Sequence, residues 1–230
     1  MIMVSKYKIM FAKTGMSRFT SHLDLSKLFE RALRRADIPI AFSQGFNPHP
    51  KMSVAVPLAV GVAGERELLE VELKEEMEPQ EITRRLNEKL PAGVKVLNVK
   101  KTEKQKKSLM AMVQQADYRL ECMVTEDLEQ SEVEQVVSDL LKCSSIVVQR
   151  KTKGKVKESD IRSGIHFLEG KVDSGVVTFN ARLNTGSGGN VRPEEILIQL
   201  KEAGLPIDCT CCRIYRGDLY GDESTTDSLW

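Results

Sequence analysis

The chain has 230 residues, 41% of them hydrophobic and 29% charged, and a formal net charge of +1. A chain of this length and composition is an ordinary globular protein that can bury a real core in one large or two small domains. No apolar run approaches the roughly 20 residues of a membrane helix, and the N-terminus lacks a basic-then-apolar signal layout, so no membrane contact and a cytoplasmic location are expected.

Taken in order, residues 6–13 alternate as a strand and 21–36 read as a helix. Extended segments at 40–42 and 53–58 flank a loop, and a strand follows at 68–73 with acidic outward positions. A second helix opens at Glu78-Pro79, is carried by Ile82, Leu86 and Leu90, and closes at Pro91-Ala92-Gly93. A strand over 94–99 ends the unit. The order β-α-β-β-α-β predicts a ferredoxin-like domain over 1–102, with its helices on one face of an antiparallel sheet.

The first helix and the loop after it carry the chemistry. Ser21 and Asp24 read as a capping box, and Leu25, Leu28, Phe29, Ala32 and Leu33 form an apolar face. The opposite face stacks Lys27, Arg31, Arg34 and Arg35 at helical spacing. Like charges at i,i+4 cost roughly 0.2–0.5 kcal/mol per pair, and Asp24 and Glu30 offset only part of this. Guanidinium forks match phosphate oxygens, so this face predicts a phosphate-binding ridge; its alternative is a solvated helix surface. Residues 1–54 hold nine basic and three acidic side chains, which puts the positive field over the same helix and loop.

The loop runs Ser43-Gln44-Gly45-Phe46-Asn47-Pro48-His49-Pro50-Lys51-Met52-Ser53. Gly45 permits a positive φ, while Pro48 and Pro50 hold Asn47 and His49 extended. Ser43, Gln44, Asn47, His49 and Lys51 offer donors and acceptors suited to an anion or a nucleotide; the alternative is a loop that hydrogen-bonds itself.

The strings Arg18-Phe-Thr-Ser-His-Leu-Asp-Leu, Leu28-Phe-Glu-Arg-Ala-Leu-Arg-Arg-Ala, Phe42-Ser-Gln-Gly-Phe-Asn-Pro-His-Pro-Lys-Met-Ser and Pro57-Leu-Ala-Val-Gly resemble the bacterial radical-SAM-linked protein family. This is a domain of unknown function, found alone or fused behind a radical S-adenosylmethionine (SAM) domain. The resemblance implies a separate radical SAM enzyme as partner. No Cys-x-x-x-Cys-x-x-Cys motif is present in this chain, so any radical chemistry is expected on that partner, and no cofactor is expected here.

A lysine-rich stretch over 103–116 reads as a linker, and the second half repeats the pattern over 117–220. Strands are expected at 118–124, 146–150, 161–169, 176–183 and 209–215, with helices at 131–141 and 193–203. The fold class is therefore α+β, two tandem ferredoxin-like domains, the second with an extra strand. Residues 221–230 read as a mobile polar tail.

Two features of this half could meet an anion. Arg150, Lys151 and Lys153 lead a basic hairpin tip around Gly154. The loop Gly186-Ser187-Gly188-Gly189-Asn190-Val191-Arg192-Pro193 runs directly into a helix start, with Arg192 beside its free amides. The five cysteines are expected to be thiols, with Cys209, Cys211 and Cys212 buried or half-buried on one strand, and no spacing suggests a metal site.

These residues point to an accessory protein, more an RNA-binding module than an enzyme. Arg18, Arg31, Arg34, Arg35 and Lys51 would meet phosphates of a structured RNA, tRNA or rRNA, and Gln44, Asn47 and His49 would read a nucleotide edge. One alternative is a metal-independent ribonuclease using His22 and His49 as general acid and base. The other is a protein-docking domain that binds no nucleic acid.

Overall fold

A computed structural model describes residues 5–102, 107–152, 154–186, 189–221 and 228–230. The chain has a mixed α+β fold and divides into two compact units, Met1–Val113 with Arg216–Trp230, and Gln114–Tyr215.

In the first unit, β1 (Ser5–Lys13) lies between β3 (Ala63–Leu73) and β4 (Val94–Thr102), antiparallel to both. Alternation sends Tyr7, Ile9 and Phe11 into the core, where they meet α1 (His22–Arg35) and α2 (Pro79–Asn87). The α1 cap forms as its residues predict: Ser21 Oγ accepts the Asp24 amide at 3.2 Å and donates to the Asp24 carboxylate at 2.7 Å. Leu25, Phe29, Ala32 and Leu33 are buried, and Phe29 meets Phe11 edge-on with ring centroids 4.8 Å apart.

The second helix begins at Pro79 but ends at Asn87, before Leu90. Asn87 closes the helix, and its side chain pairs with both backbone groups of Val96, at 2.9 and 2.8 Å. The extended segment expected over 53–58 contracts to β2 (Met52–Val54), which pairs with the end of β3. β3 itself starts five residues earlier than its apolar run suggests, at Ala63, and carries Glu67 into the buried interior.

The final strand, β10 (Arg213–Tyr220), begins in the second unit and ends in the first, where it lies beside β3. Its Arg216 binds Glu67 in two-pronged fashion, Nε to Oε1 at 2.8 Å and Nη2 to Oε2 at 2.7 Å. Nη2 also donates to the Val56 carbonyl at 2.9 Å. Of the stretch expected to be a mobile tail, Ser228–Trp230 is held in place. Lys8 donates to the Leu229 carbonyl, the Leu229 amide donates to Leu219 O, and Lys100 sits over the Trp230 ring at 4.6 Å.

Part of the expected linker is also structured. Ser108 caps the short α3 (Leu109–Met112), and the Leu109 amide donates to Glu70 at 3.2 Å. Residues 103–106 lie outside the described residues.

The second unit orders its strands β5 (Gln115–Met123), β9 (Val176–Asn184), β8 (Ile165–Asp173), all antiparallel. The β8–β9 turn needs positive φ at both central residues, supplied by Ser174 at 49° and Gly175 at 77°, as a tight hairpin of matching twist requires. α4 (Gln130–Lys142) and α5 (Pro193–Glu202) belong to this unit. A separate ribbon, β6 (Val147–Thr152) with β7 (Lys155–Asp160), stands where one strand was expected.

The strand expected over 209–215 is corrected at its start. Asp208 Oδ1 accepts from the Thr210 amide at 2.9 Å and its hydroxyl at 2.6 Å, which folds residues 209–211 into a turn and delays the strand to Arg213. The cysteine expectation changes with it. Cys122 and Cys212 form a disulfide, Cys143 and Cys211 are exposed, and only Cys209 is a half-buried thiol. Burial raises the Cys209 pKa. The disulfide closes a span of 90 residues, so reducing it should lower stability by roughly 2–4 kcal/mol. Urea unfolding with and without dithiothreitol measures this; an unchanged midpoint would mean that the two sulfurs are thiols in solution.

Candidate nucleic-acid interface

The charged face of α1 is exposed along its length: Lys27, Arg31, Arg34 and Arg35 all face outward. They border a groove of about 670 Å3 closed on its far side by Lys89, Leu90 and Pro91, from the turn after α2. Thr20 and Asp24 complete the upper end. Five cations thus line one groove with a single carboxylate, that of Asp24, which is engaged by the Ser21 hydroxyl.

The cations differ in how far they are committed. Arg35 donates to the Lys89 carbonyl at 2.8 Å, which joins the two walls and satisfies a carbonyl just past the end of α2. Arg34 pairs with Glu30 at 3.0 Å, an exposed i,i+4 pair that contributes little. Lys27 and Arg31 have no side-chain partner among the described residues. Lys89 has no signal in the sequence, where it is one lysine at a helix end; only the packing of α2 beside α1 adds it to the ridge.

The arginines of α2 behave differently. Arg84 binds Glu81 through both Nε and Nη2, at 2.9 and 2.8 Å, and Glu88 at 2.6 Å, while Arg85 binds Glu81 at 2.6 Å. Hydrogen bonds from Arg84 first and Arg85 second push the Glu81 carboxyl down to about 2. Because the folded-state value is depressed, this contribution to stability is present above the unfolded carboxylate range and is lost as pH falls through about 2. A carboxyl-detected NMR titration should place Glu81 there; a midpoint near 4.5 would mean that the pairs do not persist.

The loop after α1 is braced by its own atoms. The Ser43 amide donates to the His49 carbonyl at 2.8 Å, the His49 amide to Ser43 Oγ at 2.9 Å, and the Lys51 amide to the Ala41 carbonyl at 2.8 Å. Lys51 Nζ is paired with Glu72 at 2.7 Å. Ser43 and Lys51 are therefore engaged in holding the loop, whereas the side chains of Gln44, Asn47 and His49 stand exposed. Gly45 takes the positive φ expected of it, 123°. Beside it Phe46 is fully exposed, and Phe42 is 38% exposed, two aromatic positions that polarity alone does not single out.

Arg18 is displaced from the ridge. It lies in a 3-10 turn (Gly15–Phe19), its guanidinium sits over the Phe19 ring at 4.8 Å, and its Nε is buried with no hydrogen-bond partner among the described residues. His22 opens α1 with Nδ1 likewise buried and unpartnered. His49 belongs to the loop tied to Glu72 near the end of β3 beyond the other end of α1. A helix of 14 residues puts roughly 20 Å between its ends, so His22 and His49 are not brought together as an acid–base pair.

In the second unit Arg150 does not point outward at a hairpin tip. It binds Glu195 through Nε and Nη2, both at 2.6 Å, and the Asn190 carbonyl at 2.7 Å. Glu195 also accepts the Arg192 amide at 3.1 Å, so the carboxylate of α5 itself occupies the helix start where an external anion was expected. Arg192 and Lys151 are exposed, and Lys153, Ser187 and Gly188 lie outside the described residues. Among the described residues no group of three or more His, Cys, Asp or Glu side chains could hold a metal, and no helix is long and apolar enough to cross a membrane.

A family described as uncharacterized protein conserved in bacteria, DUF2344, matches residues 6–193. No curated protein sequence matches significantly. Among solved structures, a chain in a Cbf5-Nop10-Gar1 complex is similar with a TM-score of 0.52 at 11% identity, over 97% of this chain and 52% of that one. A chain in an H/ACA ribonucleoprotein bound to a substrate RNA containing 2'-deoxyuridine is similar with a TM-score of 0.49 at 13% identity, over 97% and 51%. The chain thus spans about half the length of these structures.

Proposed function

We propose that this chain, which belongs to the DUF2344 family of proteins conserved in bacteria, binds structured RNA through the cationic groove of α1 and serves as an accessory protein to a separate radical SAM enzyme. The observation that carries the RNA reading is the groove. Lys27, Arg31, Arg34, Arg35 and Lys89 converge there, and Lys27 and Arg31 are committed to no other described side chain. Such a surface neutralises phosphates and releases their counterions, the main sequence-independent source of affinity for nucleic acid. The exposed Gln44, Asn47 and His49 add polar side chains for a nucleotide edge. The fold likeness to a protein of the Cbf5-Nop10-Gar1 complex is compatible with this role. The radical SAM connection rests on the motif resemblance over residues 18–61.

The finer architectural reading, tandem ferredoxin-like domains, is proposed on the same footing. The first unit supports it through its element order and through the β4-β1-β3 sequence of strands with β2 on β3. The ribonuclease alternative loses its geometric basis with the separation of His22 from His49.

The test is fluorescence anisotropy of the full chain with labelled tRNA across a salt series. Log affinity should fall linearly with log salt, by about 0.7 to 0.9 for each phosphate neutralised. Absence of binding at low salt would overturn the reading and turn attention to a protein partner.

A further inference from the structure

A second groove, of about 340 Å3, adjoins the first, and Arg34 borders both. Its character is different. Ile38, Pro39, Ile40 and the half-exposed ring of Phe42 supply apolar surface, and the charges around them balance, Glu30 and Asp37 against Arg34 and Lys74. Lys74 Nζ lies 5.8 Å from the centre of the Phe42 ring. Asp37 is held here at a φ of 50°, unusual for a residue other than glycine. At the tip of the same loop, Phe46 leaves its whole ring in water.

A groove with no net charge and an aromatic wall is a poor place for a phosphate and a good one for a flat, neutral ring that carries hydrogen-bond donors. The cationic groove next to it is suited to the phosphates on either side of such a ring. Resting on the RNA reading above, we infer that the second groove takes an unpaired base against Phe42, and that Phe46 offers a second ring for the neighbouring base. The RNA is then one with splayed nucleotides, a single strand or a loop, rather than a continuous duplex. Glu30 and Asp37 are placed to accept hydrogen bonds from base amino groups, and Arg34 joins the base to the phosphate track. Stacking on aromatic faces is the usual way an unpaired base is held, and it adds affinity without adding charge.

The experiment uses the full chain and three probes: a short labelled single-stranded RNA, a blunt RNA duplex carrying the same label, and inorganic polyphosphate as competitor. The variant is Phe42→Leu/Phe46→Leu, which keeps apolar bulk for folding but removes the rings. The expected result is a preference for the single strand over the duplex and weak competition by polyphosphate. The double variant should bind the single strand roughly 5- to 100-fold more weakly at an unchanged salt slope, and Phe42→Trp/Phe46→Trp should bind as the wild type does. If the leucine variant binds like wild type while Arg31→Ala/Arg34→Ala/Arg35→Ala binds weakly, the base groove is overturned and RNA binding stands. Polyphosphate competing as well as RNA likewise overturns the base groove. If wild type binds labelled tRNA but neither short probe, the base groove is overturned and the RNA reading stands. If it binds neither tRNA nor the short probes, the RNA reading itself fails and this inference goes with it.

Discussion

Replacing Arg216 by methionine should destabilise the protein by about 3–5 kcal/mol, the largest effect expected of any single charged side chain described here. Arg216 and Glu67 are 2% and 1% exposed, so neither charge has water to fall back on. The guanidinium satisfies both carboxylate oxygens and also donates to the carbonyls of Val56 and Pro57. Removing it strands a buried carboxylate and withdraws a donor from two carbonyls together. Lys13 does not make good the loss. Burial lowers its pKa against the attraction of Glu67, and its Nζ is directed at the carbonyls of Arg18 and Thr20, at 3.2 and 3.0 Å, so it does not replace the lost fork. The double change Arg216→Met/Glu67→Leu should recover part of the stability, because it removes the stranded carboxylate, while it also takes from the buried Lys13 the carboxylate that attracts it. Urea unfolding of the three proteins tests this. A single variant within about 1 kcal/mol of wild type would show that the buried pair contributes no more than an exposed one.

Arg31→Ala/Arg34→Ala/Arg35→Ala should weaken tRNA binding at least roughly 100-fold at low salt, since each charge-assisted contact contributes about 1.5–3 kcal/mol. It should also flatten the log–log salt dependence by up to about three units, one for each phosphate contact removed. The slope is the more telling number, because a variant that merely loosened the fold would lose affinity without losing its dependence on counterions. Stability should change little. The Arg34–Glu30 pair is exposed, and Arg35 gives up one bond to a carbonyl that water can reach. Equal binding by wild type and variant would remove α1 from the interface. A weakened complex with an unchanged slope would assign the phosphate contacts elsewhere on the molecule.

Much of α1 is legible in its amino acids alone. Its cap, apolar face and cationic face depend on residues three, four and seven positions apart, and a helix brings such residues together by its own geometry. The proline start of α2 is local in the same sense, as is the positive φ at Gly45. The end of α2 escapes such a reading, and Asn87 there pairs with Val96 on a neighbouring strand. The start of β10 escapes it because a carboxylate at Asp208 competes for the amide two residues on.

The candidate site divides along the same line. The sequence alone determined the ridge of Lys27, Arg31, Arg34 and Arg35 and the exposed tip of the loop. Only the tertiary structure added Lys89, separated His22 from His49, drew Lys51 to Glu72 and gave Phe42 a groove to line. It also turned Arg150 away from solvent to Glu195 and paired Glu67 with a residue 149 positions away. A charged side chain in a sequence carries no mark of whether a carboxylate will meet it. Its partner is chosen when strands align and helices pack, and burial then makes that pairing obligatory.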